Sequence, residues 1–311
     1  MNFVLLLIGF GLLVLGGNWL LKSAVGFSLR LNIPKILVGM TIVSFATSAP
    51  ELIVSLNAAL NNHADFALGN IMGSNIANLG FVLAIIILIS DINVQDGFYK
   101  IDWPVMMISS LMLYFFIVFD GELQRYEGII LFSSIIVFLI YLLKFQKPAI
   151  VDEFPEDDIE LPLYKNLLFL SLGGVALWGG SEFLIKGAVG LASNFNVSER
   201  IIGVTVVSIG TSVPELAASL IAIVKKEKAI SIGNIIGSNV FNILVVLGLT
   251  SIITPLKVID PALITNDIIW MLAISLIILP LNFLPTKMKF SWKEGIILLG
   301  IYIAFMFTTL L

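Results

Sequence analysis

Apolar runs long enough to cross a membrane recur along this chain of 311 residues, separated by short stretches that carry most of its charge. In a helix, about twenty apolar residues span the hydrocarbon core of a bilayer. Hydrophobic residues make up 59% of the chain and charged residues only 12%, about half of the roughly 25% that is usual in soluble domains. A soluble protein of this size needs far more polar surface to cover its core. The sequence therefore predicts an all-α membrane protein that crosses the bilayer several times.

Ten transmembrane helices are predicted, five on each side of one long polar break. The break carries six acidic residues, and we interpret residues 146–163 as a linker between residues 1–145 and 164–311. A flexible linker is more typical of such a run than a regulatory cation site, which stays open as an alternative. The first apolar run lacks a basic n-region, so we interpret it as a retained helix rather than a signal peptide. The predicted spans lie near residues 3–27, 35–60, 67–90, 101–119, 127–145, 164–190, 200–224, 230–253, 264–283 and 292–311.

The two halves are related by an internal duplication. Residues 37–83 align with residues 201–247 at a constant offset of 164, and 21 of the 47 aligned pairs are identical. The identities include Gly, Asn, Pro and Glu in register, which an apolar bias alone does not produce. Because each half has five predicted helices, the second half begins on the opposite side of the membrane. The sequence therefore predicts two inverted five-helix repeats, an organisation found in many secondary transporters.

The distribution of basic residues predicts the orientation of the chain. When each Lys and Arg is assigned to the nearer membrane face, thirteen lie on one side and four on the side of the N-terminus. Basic residues concentrate on the cytoplasmic side of membrane proteins. We therefore expect a multi-pass protein of the cell membrane with both termini extracellular and the 146–163 loop cytoplasmic.

One polar stripe on each of two equivalent helices is the strongest functional signal. Residues spaced by three and four share one helix face, and the second span carries Ser44, Thr47, Ser48, Glu51 and Ser55 in that pattern. Such a stripe should face protein or a water-filled cavity, because lipid cannot satisfy it. The equivalent face of the seventh span carries Ser208, Thr211, Ser212, Glu215 and Ser219.

Glu51 and Glu215 lie well inside their predicted spans. An acidic side chain at that depth costs roughly 2.5–3.5 kcal/mol even on a permissive insertion scale. No Lys or Arg of the sequence is predicted at similar depth, so a bound cation or protons should compensate the two charges. Two protonated carboxyls that are hydrogen-bonded only for packing are the alternative.

Proline and asparagine extend the set of oxygen ligands. Pro50 and Pro214, expected in mid-helix, should free backbone carbonyls one turn earlier, although a packing kink is the alternative. Carboxylate, amide, hydroxyl and carbonyl oxygens suit hard cations such as Ca²⁺ or Na⁺. On the third and eighth spans, side chains spaced by four line one face: Asn70, Ser74 and Asn78, and Asn234, Ser238 and Asn242.

The formal charge of two carboxylates matches one Ca²⁺ or two Na⁺, and a third Na⁺ needs neutral oxygens. Ca²⁺ and several Na⁺ ions therefore compete for the same ligands. This mutual exclusion is the physical basis of exchange.

These paired motifs resemble the two alpha repeats of the sodium/calcium exchanger family, in the cation/calcium exchanger superfamily. The second copy, Gly210-Thr-Ser-Val-Pro-Glu215 with Gly233-Asn-Ile-Ile-Gly-Ser-Asn239, matches the family pattern fully. The first copy has Ala46 where the family usually has Gly. By this resemblance the expected metal ligands are Ser44, Thr47, Ser48, Glu51, Ser74, Asn78, Ser208, Thr211, Ser212, Glu215, Ser238 and Asn242, with Ser44 and Ser208 acting through their carbonyls.

The resemblance also implies a function. We expect electrogenic exchange of three Na⁺ for one Ca²⁺ by alternating access, with helices 1 and 6 as the mobile pair. The potassium-dependent exchangers carry Asp at the position of Asn242, so the resemblance implies exchange without K⁺. The expected partners are Na⁺ and Ca²⁺, as the transported ions, and membrane lipid. We expect neither a cofactor nor a nucleic acid. A monomer is consistent with the sequence, and the oligomeric state is left open.

Three alternatives stay open from the residues themselves. A proton/Ca²⁺ antiporter can use the same two glutamates. A membrane-embedded protease is disfavoured because the one His of the sequence, His63, lies in a polar turn and leaves no Ser–His or zinc arrangement within the bilayer. The sequence has no phosphate-binding loop, which also argues against an ATP-driven pump. A passive channel is disfavoured because dense carboxylate ligation favours binding over rapid release.

Overall fold

A computed structural model describes residues 2–94, 96–145, 161–194, 210, 212–284 and 288–310. The predicted ligands Ser208 and Thr211, the first ten residues of the predicted seventh span and most of the 146–163 linker lie outside these ranges.

Helices dominate the described ranges, together with four two-residue strands. The strands are β1 (Ile92–Asn93), β2 (Glu122–Leu123), β3 (Leu256–Lys257) and β4 (Lys289–Phe290). The helices are α1 (Asn2–Leu31), α2 (Lys35–Thr47), α3 (Ala49–Leu60), α4 (Ala64–Ile89), α5 (Phe98–Asp120), α6 (Arg125–Phe145), α7 (Leu163–Asn194), α8 (Val213–Val224), α9 (Lys228–Ile253), α10 (Leu263–Leu281) and α11 (Trp292–Leu310).

Seven of the described helices are long and apolar enough to cross a membrane, or eight when α2 and α3 are taken as one bent span. The helical, multi-pass class expected from the sequence is therefore confirmed. The predicted sixth span coincides with α7, which is 32 residues long. The described part of the predicted seventh span consists mainly of the short apolar helix α8. The count of ten stays a prediction.

The chain forms two compact units. The first unit comprises Met1–Thr47 and Gln146–Ile235, and the second comprises Ser48–Phe145 and Ile236–Leu311. Each unit takes residues from both halves of the sequence. The division into two five-helix repeats and a linker therefore describes the sequence pattern and stays a prediction for the fold.

In the first unit, glycines bring α1 and α7 into direct backbone contact. A Cβ added to Gly16 would lie 2.8 Å from the Leu177 nitrogen and 2.9 Å from the Gly173 oxygen. A Cβ added to Gly180 would lie 2.9 Å from the Gly9 oxygen. Because Gly9 meets Gly180 and Gly16 meets Gly173, the two helices run antiparallel. These glycines therefore allow the close contact between α1 and α7.

The second unit contains two short antiparallel sheets that repeat one pattern. In β1 and β4, Ile92 lies opposite Phe290, and in β2 and β3, Leu123 lies opposite Leu256. These four apolar side chains are fully buried. Since β1 and β3 follow α4 and α9 at the same offset of 164, the duplication is visible in the secondary structure.

Equivalent helices also end alike. After α3 and α8, Asn62 and Lys226 adopt left-handed backbone angles with φ of 64° and 66°. The next N–H groups donate back across the last turn, from His63 to the Ala58 oxygen at 2.9 Å and from Glu227 to the Ala222 oxygen at 2.7 Å. This is the Schellman arrangement, which satisfies carbonyls left unpaired at a helix end.

Candidate functional site

Each glutamate motif lies at the start of a new helix. Ser48 has φ −88° and ψ 1°, and Ser212 has φ −91° and ψ 3°, so both leave the helical region and act as N-cap residues of α3 and α8. Pro50 and Pro214 are the second residues of these helices. There a missing N–H removes no intrahelical hydrogen bond. The prolines therefore lie at the start of new helices, which corrects the expectation that they stand in mid-helix.

Glu51 and Glu215 lie in the first turns of α3 and α8 and are 1% and 0% exposed. The N-terminus of a helix carries partial positive charge, so it favours a carboxylate at this place. Ser48 and Glu51 have the spacing of a capping box, as do Ser212 and Glu215. Neither serine side chain caps its helix. Ser212 Oγ is buried and has no hydrogen-bond partner among the described residues.

In the first unit, Asn234 makes hydrogen bonds to polar residues of both α2 and α8. Thr47 Oγ1 donates to Asn234 Oδ1 at 3.2 Å, and Ser44 Oγ lies 2.9 Å from the Asn234 backbone oxygen. Asn234 Nδ2 donates to Ser219 Oγ at 3.1 Å and lies 3.4 Å from the Glu215 backbone oxygen. One buried amide therefore holds the end of α2 beside the first turns of α8.

In the second unit, the equivalent amide makes the equivalent bond. Asn70 Nδ2 donates to Ser55 Oγ at 3.2 Å, as Asn234 Nδ2 does to Ser219 Oγ. The two copies of the motif thus share a side-chain bond as well as a backbone break.

Four asparagines form a closed hydrogen-bonded network in the second unit. Asn75 Nδ2 donates to the Asn239 backbone oxygen at 3.2 Å, and Asn239 Nδ2 donates to the Asn75 backbone oxygen at 3.3 Å. Asn78 Nδ2 donates to Asn239 Oδ1 at 3.1 Å, and Asn242 Nδ2 donates to Asn75 Oδ1 at 3.0 Å. All four side chains are at most 1% exposed. The network joins α4 to α9.

Two amide oxygens of the network have no hydrogen-bond donor among the described residues. Oδ1 of Asn78 and Oδ1 of Asn242 are buried and accept no hydrogen bond from any described residue. Each of these asparagines also begins a π-helical segment, Asn78–Val82 in α4 and Asn242–Leu247 in α9. Such segments occur frequently at functional sites. A buried amide oxygen without a donor suits a hard cation such as Na⁺ or Ca²⁺.

Ten of the twelve predicted ligands are described, and none is more than 3% exposed. In the first unit, Ser44 and Thr47 come together with the Glu215 backbone at Asn234. In the second unit, Asn78 and Asn242 belong to one network, and α3, which carries Glu51, packs against both α4 and the π segment of α9. Ser74 and Ser238 are buried directly before Asn75 and Asn239.

Sequence reasoning did not select Asn75 and Asn239 as site residues. The four-residue spacing from Asn70 and Asn234 placed them off the predicted ligand face. The signal that could have found them is their identity at the same offset of 164 within both Gly-Ser-Asn motifs.

Comparison with known proteins identifies the family of the chain. Residues 1–144 and 165–311 match the family model described as sodium/calcium exchanger protein. A putative antiporter, CaxA of Alkalimonas amylolytica, is 37% identical over 98% of this chain and 97% of its own length. The sodium/calcium exchanger MaX1 of Methanosarcina acetivorans is 29% identical over 98% of this chain and 97% of its own length.

The fold gives the same result. A structure of the sodium-calcium exchanger NCX_Mj superposes with a TM-score of 0.81 at 25% identity, covering 97% of each chain. The resemblance seen in the paired motifs is confirmed, and this multi-pass membrane protein belongs to the sodium/calcium exchanger family of transporters.

Proposed function

We propose that this protein exchanges Na⁺ for Ca²⁺ across the cell membrane by alternating access, electrogenically and without K⁺. The observation that carries the proposal is the pair of buried glutamates, Glu51 and Glu215, each in the first turn of a helix that begins at a Ser-x-Pro-Glu break. MaX1 and NCX_Mj, which match nearly the whole chain, bear the name of sodium/calcium exchangers.

The charge of the two carboxylates determines what they can hold. One Ca²⁺ or two Na⁺ neutralise them, and neutral oxygens such as Asn78 Oδ1 and Asn242 Oδ1 can accept a third Na⁺. Exchange of three Na⁺ for one Ca²⁺ then moves one net charge per cycle. Asn242 contributes no charge, which supports the expectation that K⁺ is not needed.

The ligands in this proposal are the twelve residues that the motifs identify. Their support is the burial of the ten described members, the equivalent backbone at Ser48 and Ser212, and the two amide oxygens left over at Asn78 and Asn242.

The topology in this proposal has ten spans in two inverted repeats, with both termini outside and the 146–163 loop in the cytoplasm. Its support is the antiparallel run of the equivalent helices α1 and α7 in the first unit, together with the positive charge bias of the sequence.

A transport assay separates Na⁺ from proton coupling. Purified protein is reconstituted in vesicles, loaded with Na⁺, and diluted into Na⁺-free medium with radioactive Ca²⁺ at clamped pH. We expect Ca²⁺ uptake that needs the outward Na⁺ gradient, carries a current, and does not increase when K⁺ is added.

The same vesicles without Na⁺, given a pH gradient, provide the opposing arm. Ca²⁺ uptake driven by the pH gradient alone would show a proton/Ca²⁺ antiporter instead. Uptake by neither gradient, with the protein inserted, would contradict both versions of the exchange.

A further inference from the structure

We propose that Asn75 and Asn239 are positioning residues that orient the ligand amides of Asn242 and Asn78, each acting on the asparagine of the other repeat. The inference rests on the proposed function, because it takes Asn78 and Asn242 as ion ligands. It adds two residues that the ligand motif does not include and a pairing that crosses the repeats.

Backbone carbonyls determine the orientation of the network. A carbonyl oxygen only accepts hydrogen bonds, so the side-chain atoms of Asn75 and Asn239 that contact each other's backbone oxygen must be their Nδ2 atoms. Their Oδ1 atoms therefore lie on the other side of each amide. The two backbone oxygens therefore fix which way each side-chain amide is turned, and the flipped orientation is excluded.

The two ligand amides are oriented in turn. The Oδ1 atoms of Asn239 and Asn75 need donors, and they receive the Nδ2 groups of Asn78 at 3.1 Å and Asn242 at 3.0 Å. Rotating either ligand amide by half a turn would bring two oxygens together at that distance. Each ligand Oδ1 is therefore held away from the network.

Burial of the two ligand oxygens is unfavourable until an ion binds to them. A buried acceptor without a donor loses the hydrogen bonds that water would give it, and the oxygens of Asn78 and Asn242 are such acceptors among the described residues. A cation that takes up these oxygens removes that cost. Because the amides are already oriented, ion binding does not have to order them, which raises affinity.

The pairing is specific and not what the sequence order suggests. Asn75 stands three residues from Asn78 but bonds Asn242, and Asn239 stands three residues from Asn242 but bonds Asn78. Each ligand asparagine is therefore oriented by a helix of the other sequence half. This cross-pairing distinguishes positioning from a general role in helix packing.

A double-mutant cycle tests the pairing. Asn75→Leu, close in shape but without polar atoms, is combined with Asn242→Leu and separately with Asn78→Leu. Two quantities are measured: the Ca²⁺ concentration for half-maximal Na⁺-driven flux, and Ca²⁺ binding to the purified protein. We expect Asn75→Leu alone to raise the half-maximal concentration about tenfold, the factor that corresponds to one hydrogen bond.

The double variants decide the mechanism. With Asn242→Leu already present, Asn75→Leu should add little further loss, whereas with Asn78→Leu the two losses should multiply. Equal coupling to both partners, or no effect of Asn75→Leu, would overturn the positioning role. Where Asn75→Leu does not insert, Asn75→Ser, which is too short to reach both partners, takes its place.

Failure of the proposed function gives a different result. If Asn78→Leu and Asn242→Leu leave both Ca²⁺ binding and flux unchanged, these asparagines are not ligands, and the exchange site lies elsewhere whatever Asn75 does.

Discussion

At the scale of single residues, Glu51 and Glu215 were predictable because acids are rare inside apolar spans and these two repeat at a constant offset. The same reasoning found the buried serines and threonines, since one helix face follows from spacing. It could not find Asn75 and Asn239. Their role depends on which helix of the other half they meet, and the periodicity of a single helix contains no such information.

Asn242→Asp tests the donor role of the Asn242 amide. A carboxylic acid can donate to Asn75 Oδ1, 3.0 Å away, only while it is protonated. We therefore expect the Ca²⁺ flux of this variant, relative to that of the unsubstituted protein, to fall about tenfold from acidic to alkaline pH. This factor corresponds to the loss of one hydrogen bond. Ca²⁺ flux measured across the pH range checks this. Asn57→Asp, at an exposed position of α3, is the matched control, and parallel pH profiles for both variants would contradict the hydrogen bond.

At the scale of elements, most helices were predictable, but the breaks before α3 and α8 were not. The pattern around Pro50 and Pro214 is equally consistent with a kinked helix and with the start of a new one. In the structure a new helix begins at each site, because Ser48 and Ser212 leave the helical region. Which of the two forms occurs depends on what the chain packs against on either side of the serine, and the local sequence does not determine that.

Gly16→Ala should weaken the contact between α1 and α7. The added Cβ would lie 2.8 Å and 2.9 Å from backbone atoms of α7, which cannot move aside as a flexible side chain can. Overpacking of this kind typically costs about 1–3 kcal/mol, so we expect a lower unfolding temperature in detergent. Gly11→Ala is the matched control on the same helix, because nothing lies within 4 Å of its Cβ. Equal unfolding temperatures for the two variants would contradict the close contact.

At the scale of the whole molecule, the duplication was the most informative property of the sequence. It explains why Ser48 and Ser212 share backbone angles, why Asn62 and Lys226 share a left-handed turn, and why two equivalent sheets form in the second unit. The two compact units were not predictable, because each combines segments from both halves. Repeats are defined by sequence similarity, whereas compact units are defined by contacts.

Glutamine variants test whether the charges of Glu51 and Glu215 hold the transported ions, with Na⁺-driven Ca²⁺ flux as the measurement. Glutamine keeps the shape of the side chain and removes its charge. Glu127→Gln and Glu294→Gln are matched controls. These acids are also buried, and each accepts a backbone N–H at the start of its helix, at 2.8 Å from Gln124 and 2.6 Å from Ser291.

With flux normalised to the amount of inserted protein, we predict that Glu51→Gln and Glu215→Gln each abolish Ca²⁺ uptake, while both controls retain it. Uptake retained by both Glu51→Gln and Glu215→Gln would show that these two charges do not hold the transported ions.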